Sequence, residues 1–341
     1  PARSNHHGEP AVPSTRKFVT RDDLADLIRA HVGSDRRVVD IERSIGGSKK
    51  GVYRLTLDDG ATIALYVWHP DENFWPVAPP SDPEDPFIDA IGIDLFEAAY
   101  QRLVAIGVGT PVVHVIDRSH TVYPADLALV EDVRGGTLED LMERDRAAAD
   151  RPIAMLREAL TAMRHDGSTS FGTVAAVQAG NGVNDRPAPT VILRRALRHL
   201  AEAAGYEPRL DAASHAIEAK LRDLAGAVRP RSGYGLIHGE LGADHVMLDE
   251  TGAPLLIDIE GLAYFDIEWE YVFLKIRFRE DYAALAVGDL DPDSMRFYQL
   301  AHHLSLVAGP MRIATVGDFH DVAFMREIAD AHTERVLAHV V

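Results

Sequence analysis

The chain has 341 residues, which is long enough for two lobes with a sizeable hydrophobic core. Its formal net charge of -18 argues against a nucleic-acid-binding protein, which would need a basic face, and is compatible with a cationic small-molecule partner. No apolar run reaches the length of a membrane span, and cysteine is absent, so we expect a cytoplasmic protein without disulfides or thiolate chemistry.

Residues 16–133 predict a small lobe that is built mainly on an antiparallel sheet. They follow a proline-containing polar stretch at residues 1–15, which we expect to be a flexible tail. After a short amphipathic helix, three strands are predicted, with Asp58-Asp59-Gly60 as the hairpin turn between the last two. Residues 68–86, rich in proline and acids, predict a long irregular connection to a helix at residues 93–107.

Beyond a hinge near residues 131–135, the pattern becomes mostly helical. Residues 134–341 therefore predict a larger helical lobe. Within it, residues 165–189 are rich in glycine and polar residues, so we expect a surface insertion or a lid there. No internal repeat is visible, and the whole pattern predicts a two-lobed α+β protein.

A glycine pair between two predicted strands is a candidate anion-binding loop. Gly46 and Gly47 allow the backbone to approach an anion closely, so that its N–H groups can cradle phosphate. Ser48, Lys49 and Lys50 follow directly, and a phosphate cradle gains from nearby cations. The alternative is an ordinary turn with two solvent-exposed lysines, and the residues alone leave both interpretations open.

The stretch HGELGADHVMLDETGAPLLIDIEG, residues 238–261, carries the most specific chemical signal. Residues 245–248 and 254–257 predict a two-stranded ribbon, which would project Glu240 and Asp258 from its two ends towards one point. Phosphoryl transfer needs such a set, because one carboxylate orients or deprotonates the acceptor hydroxyl and another holds magnesium. An ordinary hairpin with solvated acids at its ends is the alternative.

These motifs resemble the aminoglycoside phosphotransferase and choline-kinase-like family, whose pattern is His-Gly-Asp-Leu-x-x-x-Asn and then Ile-Asp-Phe-Glu-Gly. HGELGADHV aligns without a gap, and LIDIEGLAYFDIEWEYVF continues the match. Gly46-Gly47 matches the phosphate loop, Glu97 the helix acid of the small lobe, and ALVEDVRGGTLEDL the hinge. The resemblance covers nearly all of residues 35–310 and implies a protein-kinase-like two-lobed fold that binds ATP or GTP with Mg²⁺.

The proposed catalytic residues depart from the family pattern. Glu240 stands where the family has its catalytic aspartate; it keeps the charge, but its carboxylate reaches one methylene further. His245 stands at the asparagine position, and because magnesium prefers oxygen ligands, the adjacent Asp244 is an alternative second ligand. Asp258, the metal-binding acid of the pattern, is retained.

The small lobe departs from the pattern as well. Tyr66 occupies the third-strand position where the family has a phosphate-pairing lysine, and tyrosine cannot neutralise phosphate at pH 7. Glu97 would then lack its usual partner. Lys49 or Lys50 can reach in from the glycine loop and restore the positive charge, although two solubilising surface lysines are an equal alternative.

The resemblance also assigns roles to other positions. It implies that Asp266 braces the catalytic loop, that the last acid of the pattern is Glu270 rather than aspartate, and that backbone groups of Glu131 and Val133 hold the nucleotide base. Other features have simpler interpretations. We expect packing or surface roles for His199, His302 and His303, and a solvated face for Asp281, Asp289, Asp291 and Asp293.

The implied activity is ATP- or GTP-dependent phosphorylation of a hydroxyl on a small molecule. The acceptor would be a cationic antibiotic, such as an aminoglycoside or a basic peptide, or a biosynthetic intermediate. A non-catalytic binding or regulatory module is the alternative, and a different transfer chemistry on the same fold is a third possibility. We favour the enzyme, because the substituted residues are still polar and ionisable.

Overall fold

The computed structural model describes residues 16–44, 49–75, 82–88, 90–316, 319 and 321–340. The predicted tail at residues 1–15 and the predicted phosphate-loop residues Gly46, Gly47 and Ser48 lie outside this part of the chain. Within it, an antiparallel-sheet lobe is followed by a larger, mainly helical lobe.

The small lobe is built on five antiparallel strands in the order β1-β2-β3-β5-β4. The strands are β1 (Val38–Arg43), β2 (Gly51–Leu57), β3 (Thr62–Trp68), β4 (Val113–Asp117) and β5 (Asp126–Glu131), and the helices are α1 (Ala25–His31) and α2 (Ile93–Ala105). In β2, buried residues alternate with more exposed ones, as expected for a strand with one face on a core. Helix α1 covers that face with Leu27 and Ile28.

The large lobe follows a short hinge. Its helices are α3 (Leu138–Arg144), α4 (Asp150–His165), α5 (Val174–Gln178), α6 (Ala188–Tyr206), α7 (Pro208–Ala227), α8 (Ile267–Phe278), α9 (Pro292–Val316) and α10 (Val322–Leu337). Its short strands are β6 (Gly167–Ser168), β7 (Gly172–Thr173), β8 (Tyr234–Ile237), β9 (Val246–Leu248), β10 (Pro254–Leu256) and β11 (Ala263–Phe265). Helix α9 is the central element, since α6, α7, α8 and α10 all pack against it.

The hinge lies against the β9–β10 ribbon. Leu248 donates a backbone hydrogen bond of 3.0 Å to the carbonyl of Gly136. At Gly135 a Cβ would meet the Leu248 carbonyl oxygen at 2.1 Å, so this close approach requires glycine. The predicted ribbon is therefore present, and it lies directly beneath the connection between the lobes.

The expectation of a lid at residues 165–189 is wrong. Strands β6 and β7 pair with β8 and β11, which makes this segment part of a four-stranded sheet. Phe171 is fully buried, with its ring centroid 5.3 Å from that of Tyr234 and 5.5 Å from that of Phe265. Strand pairing and the burial of this ring, which stabilises by roughly 2–3 kcal/mol, together hold the glycine-rich segment in place.

Candidate functional site

The 238–245 loop begins where the buried strand β8 ends. His238 is buried, and its Nε2 lies 2.9 Å from the carbonyl oxygen of Ile257, which ties the loop to the end of the ribbon. Gly239 has a φ of +89°, a left-handed conformation that favours glycine. Glu240 follows directly, so its backbone position is set by two anchored neighbours.

Glu270, and not Asp266, braces this loop. The Oε2 atom of Glu270 accepts a 2.6 Å hydrogen bond from the Gly239 N–H, and burial raises the pKa of Glu270 to about 7. Asp266 instead accepts a hydrogen bond from the Tyr298 hydroxyl, and burial raises its pKa to about 6. The bracing role predicted for Asp266 is therefore wrong, because the α8 register places the carboxylate four residues later against the loop.

Asp258 lies just after strand β10, at the far end of the ribbon. Its backbone is left-handed, with φ 57° and ψ 46°. Such a conformation is uncommon for a residue other than glycine and is often found at functional sites. It directs the carboxylate towards the small lobe, where Lys50 Nζ lies 2.7 Å from Asp258 Oδ1.

Lys50 bridges two carboxylates. Its Nζ also lies 2.7 Å from Glu260 Oε1, and the lysine is only 6% exposed. Burial alone would lower the pKa of Lys50, but Asp258 and Glu260 together raise it, so the ammonium stays charged. The same ammonium holds the pKa of Asp258 far below its usual range. Three charges thus meet here, with Lys50 and Glu260 buried and Asp258 partly exposed to solvent.

Tyr66 borders this charge cluster from strand β3. Lys50 Nζ lies 5.4 Å from the centroid of the Tyr66 ring. Burial raises the pKa of Tyr66 to about 12, so its hydroxyl is neutral at physiological pH. The lysine that directly precedes β2 therefore lies beside the third-strand position that Tyr66 occupies.

Lys49 contacts the other acid of the site. Its Nζ lies 3.7 Å from Glu240 Oε2 and 5.7 Å from the centroid of the Trp75 ring. The side chain of Glu240 is half exposed, and Lys49 lowers its pKa below the usual value. Glu240 is consequently ionised and accessible, as an acceptor-orienting carboxylate must be.

His245 and Asp244 make contacts within their own lobe. His245 Nδ1 lies 2.8 Å from the carbonyl oxygen of Glu240, and its Nε2 lies 3.9 Å from Asp244 Oδ2. Asp244 Oδ2 lies 2.7 Å from an Arg277 guanidinium nitrogen. Neither side chain contacts Asp258 directly, so the two predicted second metal ligands are not brought into one set with it.

The remaining residues predicted to belong to the site, in the small lobe and at the hinge, lie at separate places in the structure. Glu97 pairs with Arg118 on the surface and does not contact Lys50. The N–H of Glu131 donates 2.8 Å to the carbonyl of Val112, so this donor is already used within the sheet. Val133 is buried at the hinge, and in the described part of the chain its backbone N–H makes no hydrogen bond, which leaves it available to a ligand.

Glu260 is a site residue to which the sequence analysis gave no role. Besides its contact with Lys50, its Oε1 accepts a 3.2 Å hydrogen bond from the Trp68 indole N–H. The sequence signal that could have identified Glu260 is its position in the Ile-Asp-x-Glu-Gly motif.

The acids expected to be solvated are mostly paired with arginines: Asp281 with Arg146, Asp289 with Arg164 and Asp293 with Arg296.

The donor chemistry around Lys50 fits a divalent cation together with phosphate. Asp258 and Glu260 already converge on one cationic group, the lysine ammonium. Among the described residues, no group of three or more acids and histidines forms a complete metal cage. Magnesium in phosphotransferases needs only one or two carboxylates, because phosphate oxygens and water complete its shell. The residues present therefore fit Mg²⁺ held by Asp258 and Glu260.

A pocket opens beside Glu240. It is lined by the 238–240 segment, Asp258, Glu260 and Gly261, by Lys49, and by Phe87, Ala90 and Ile91. Carboxylates and apolar side chains thus line one opening, and the apolar side chains belong to the connection between β3 and α2. Among all the helices that the structure describes, none is both long and apolar enough to cross a membrane.

Comparisons with known proteins agree with this geometry. A model of the phosphotransferase enzyme family (APH) matches residues 82–298, which is more than half of the chain. Among curated proteins, none matches the chain significantly.

Several solved structures of aminoglycoside phosphotransferases are similar in fold. A mutant of aminoglycoside 2'-phosphotransferase-IIIa in complex with GDP is 18% identical with a TM-score of 0.61, covering 94% of this chain and 100% of that one. A mutant of APH(4)-Ia with ADP and hygromycin B is 18% identical with a TM-score of 0.57, covering 91% and 97%. A complex of APH(2")-IIIa with GDP and kanamycin is 19% identical with a TM-score of 0.57, covering 92% and 97%. The predicted kinase-like two-lobed fold is thereby confirmed.

Proposed function

The chain belongs to the phosphotransferase enzyme family, and on that premise we propose that it transfers the terminal phosphoryl group of ATP or GTP to a hydroxyl group of a small molecule. One observation carries this proposal: Asp258 and Glu260 converge on the Lys50 ammonium, with the ionised Glu240 lining the same pocket. This is the charge arrangement that phosphoryl transfer requires.

Each residue has a defined part in the proposed reaction. Glu240 orients the acceptor hydroxyl and takes its proton, since its carboxylate is ionised and accessible. Lys50 contacts phosphate oxygens and balances their charge, and Asp258 with Glu260 holds Mg²⁺. When bound, the metal neutralises charge that develops on the phosphates. The backbone of Val133 at the hinge binds the nucleotide base.

Lys49 supplies a second positive charge at the mouth of the site. It lies near Glu240, and we infer that nucleotide phosphate competes with Glu240 for this ammonium. The proposed phosphate loop, Gly46, Gly47 and Ser48, directly precedes both lysines in the chain. Backbone N–H groups in such a loop suit phosphate oxygens.

The acceptor is proposed to be a cationic aminoglycoside, a basic peptide or a related metabolite in the cytoplasm. Support comes from the neighbours, of which one holds ADP with hygromycin B and another GDP with kanamycin. The chain's net charge of -18 favours approach of a cation. The apolar side chains of Ala90 and Ile91, which line the same pocket, would face the carbon skeleton of such an acceptor.

A thermal-shift titration with ATP and GTP, with and without Mg²⁺, is the first test. A ligand that binds only the folded state raises the melting temperature, by an amount that grows with the logarithm of its concentration. We expect a magnesium-dependent shift with at least one nucleotide, and none for the Lys50→Met variant. The surface variant Lys220→Met serves as the matched control, because it should respond like the wild type.

Phosphate transfer is the second test. Incubation with γ-labelled nucleotide and a panel of aminoglycosides and basic peptides should yield a labelled product whose formation Glu240→Gln abolishes. Absence of any nucleotide-induced shift would contradict the proposal. A shift without transfer to any acceptor or to water would favour a non-catalytic nucleotide-binding protein instead.

A further inference from the structure

The long connection between β3 and α2 does more than join two elements. Its residues 82–88, here called the docked segment, leave the small lobe and lie on helix α6 of the large lobe. Asp82 lies 2.6 Å from Arg194, and Asp85 lies 2.9 Å from Arg195 and 2.8 Å from Arg198. The Asp85 carboxylate is fully buried between its two arginines.

The docked segment places one aromatic ring beside the 238–245 loop. Phe87 donates its backbone N–H to Asp85 Oδ1 at 3.1 Å. The carboxylate that pairs with the two arginines therefore also holds the backbone of Phe87 in place. Its ring lies parallel to that of Trp269, with centroids 4.8 Å apart and planes at 13°, and meets Phe265 edge-on at 5.1 Å. Aromatic pairs of this kind contribute about 1 kcal/mol each beyond burial.

An edge of the same ring faces Gly239. A Cβ placed on Gly239 would lie 3.3 Å from Phe87 Cε1, which is tighter than an ordinary contact, so the ring leaves no room for a side chain there. The Gly239 N–H also donates a 2.6 Å hydrogen bond to Glu270, which follows Trp269 on helix α8. Gly239, directly before Glu240, is therefore bordered by an aromatic edge and held by a buried carboxylate.

We propose that Phe87 is a positioning residue for Glu240: stacked on Trp269 and bordering Gly239, its ring fixes the backbone from which the Glu240 carboxylate reaches the acceptor. This inference rests on the proposed function, in which Glu240 orients the acceptor hydroxyl. It adds that a segment from outside the large lobe is required to hold that group in place. Because small displacements of a reacting group cost rate steeply, loss of the ring should act on turnover more than on binding.

Kinetics of three variants test the proposal. Phe87→Ala should lower kcat for transfer from Mg·ATP to kanamycin, or to water, by about 100-fold. The KM for ATP should stay within about twofold, since Phe87 contacts neither lysine nor Asp258. Phe87→Tyr keeps the ring and should retain most of the turnover. Phe74→Ala is the matched control, because Phe74 is a buried ring of the same connection that packs on Ile313 and Phe319.

Hydrogen–deuterium exchange of the 238–245 backbone gives a readout that does not depend on activity. We expect faster exchange across this loop in Phe87→Ala, and wild-type exchange in Phe87→Tyr and Phe74→Ala. Unchanged exchange in Phe87→Ala, or an equal loss of turnover in Phe87→Ala and Phe74→Ala, would overturn the inference. A wild-type protein without any phosphate transfer would contradict the proposed function, whereas the exchange result would still report on the contact itself.

Discussion

Lys50 and Asp258 form a partly buried ion pair, with 2.7 Å between Nζ and Oδ1, that joins the small lobe to the large one. The two residues are 208 positions apart in the sequence, and they belong to different lobes. The buried lysine ammonium has lost most of its hydration, so it depends on its carboxylate partners. Phosphate and Mg²⁺ together could replace this pair without leaving either charge unpaired.

Replacing Lys50 by methionine should abolish nucleotide binding and also lower stability. Removal of the ammonium leaves the buried Glu260 carboxylate without its cationic partner, which typically costs about 3–5 kcal/mol, whereas the more exposed Asp258 carboxylate can be hydrated. Chemical denaturation measures that loss. To separate binding from folding, the double variant Lys50→Met/Tyr66→Lys returns the charge to the third strand, close to its original place. It should recover part of the ATP-induced thermal shift, and a double variant as inert as the single one would contradict this reasoning.

Replacing both Lys49 and Lys50 by alanine tests which charge the nucleotide needs. We expect Lys49→Ala alone to weaken ATP binding modestly. The Lys49 Nζ lies 3.7 Å from the half-exposed carboxylate of Glu240, and charge interactions at such exposed positions contribute little free energy. The double variant should bind neither ATP nor GTP in calorimetric titrations. Retained binding by the double variant would mean that neither lysine contacts phosphate.

Replacing Glu240 by glutamine should leave ATP binding intact while kcat falls by about 10²–10⁴, the usual contribution of a positioned general base. Glu240→Asp is the more informative change, because it restores the residue type of the family pattern. In this chain the shorter side chain should fall short of the acceptor, and a loss of about tenfold or more in kcat is expected. Faster transfer by Glu240→Asp would show that the pocket is not shaped for glutamate.

The sequence was sufficient for the fold and the ribbon, since strands β9 and β10 pair where the pattern predicts them. Motif spacing also placed Asp258 correctly at the ribbon's far end. Motif spacing could not show which of Lys49 and Lys50 faces Asp258, because neighbouring residues of an extended chain point to opposite sides and either could face inward. The structure directs Lys50 to Asp258 and Lys49 to Glu240.

Ion pairs between residues far apart in the sequence were the second feature that the sequence pattern could not predict. The acids of the docked segment look like solvated loop residues, yet Asp85 is buried because two arginines about 110 positions later on α6 neutralise it. No local period encodes such a pairing. Asp266 was misassigned for a related reason, since two acids near the start of α8 share one motif and only packing decides which one meets Gly239.

Replacing Asp85 by asparagine should release the docked segment. The substitution leaves Arg195 and Arg198 without their buried counter-charge, and we expect a loss of about 3–5 kcal/mol in the free energy of unfolding. Asp94→Asn is the matched control, because Asp94 pairs with Arg118 on an exposed surface and should cost about 1 kcal/mol or less. Urea denaturation distinguishes the two, and equal losses would argue against a structural role for the docked segment.

Glu270 should make stability depend on pH in a direction opposite to that of most carboxylates. Burial raises the pKa of Glu270 in the folded state to about 7 from its ordinary value of 4.5, so between these pH values the folded state holds a proton that the unfolded state has lost. The stabilisation is complete below pH 4.5 and is lost as the pH rises from 4.5 to about 7, with a total near 3 kcal/mol. Glu270→Gln cannot titrate, so its stability relative to the wild type should rise by that amount between pH 4.5 and pH 8. Parallel pH profiles of unfolding free energy for the two proteins would show that Glu270 titrates normally.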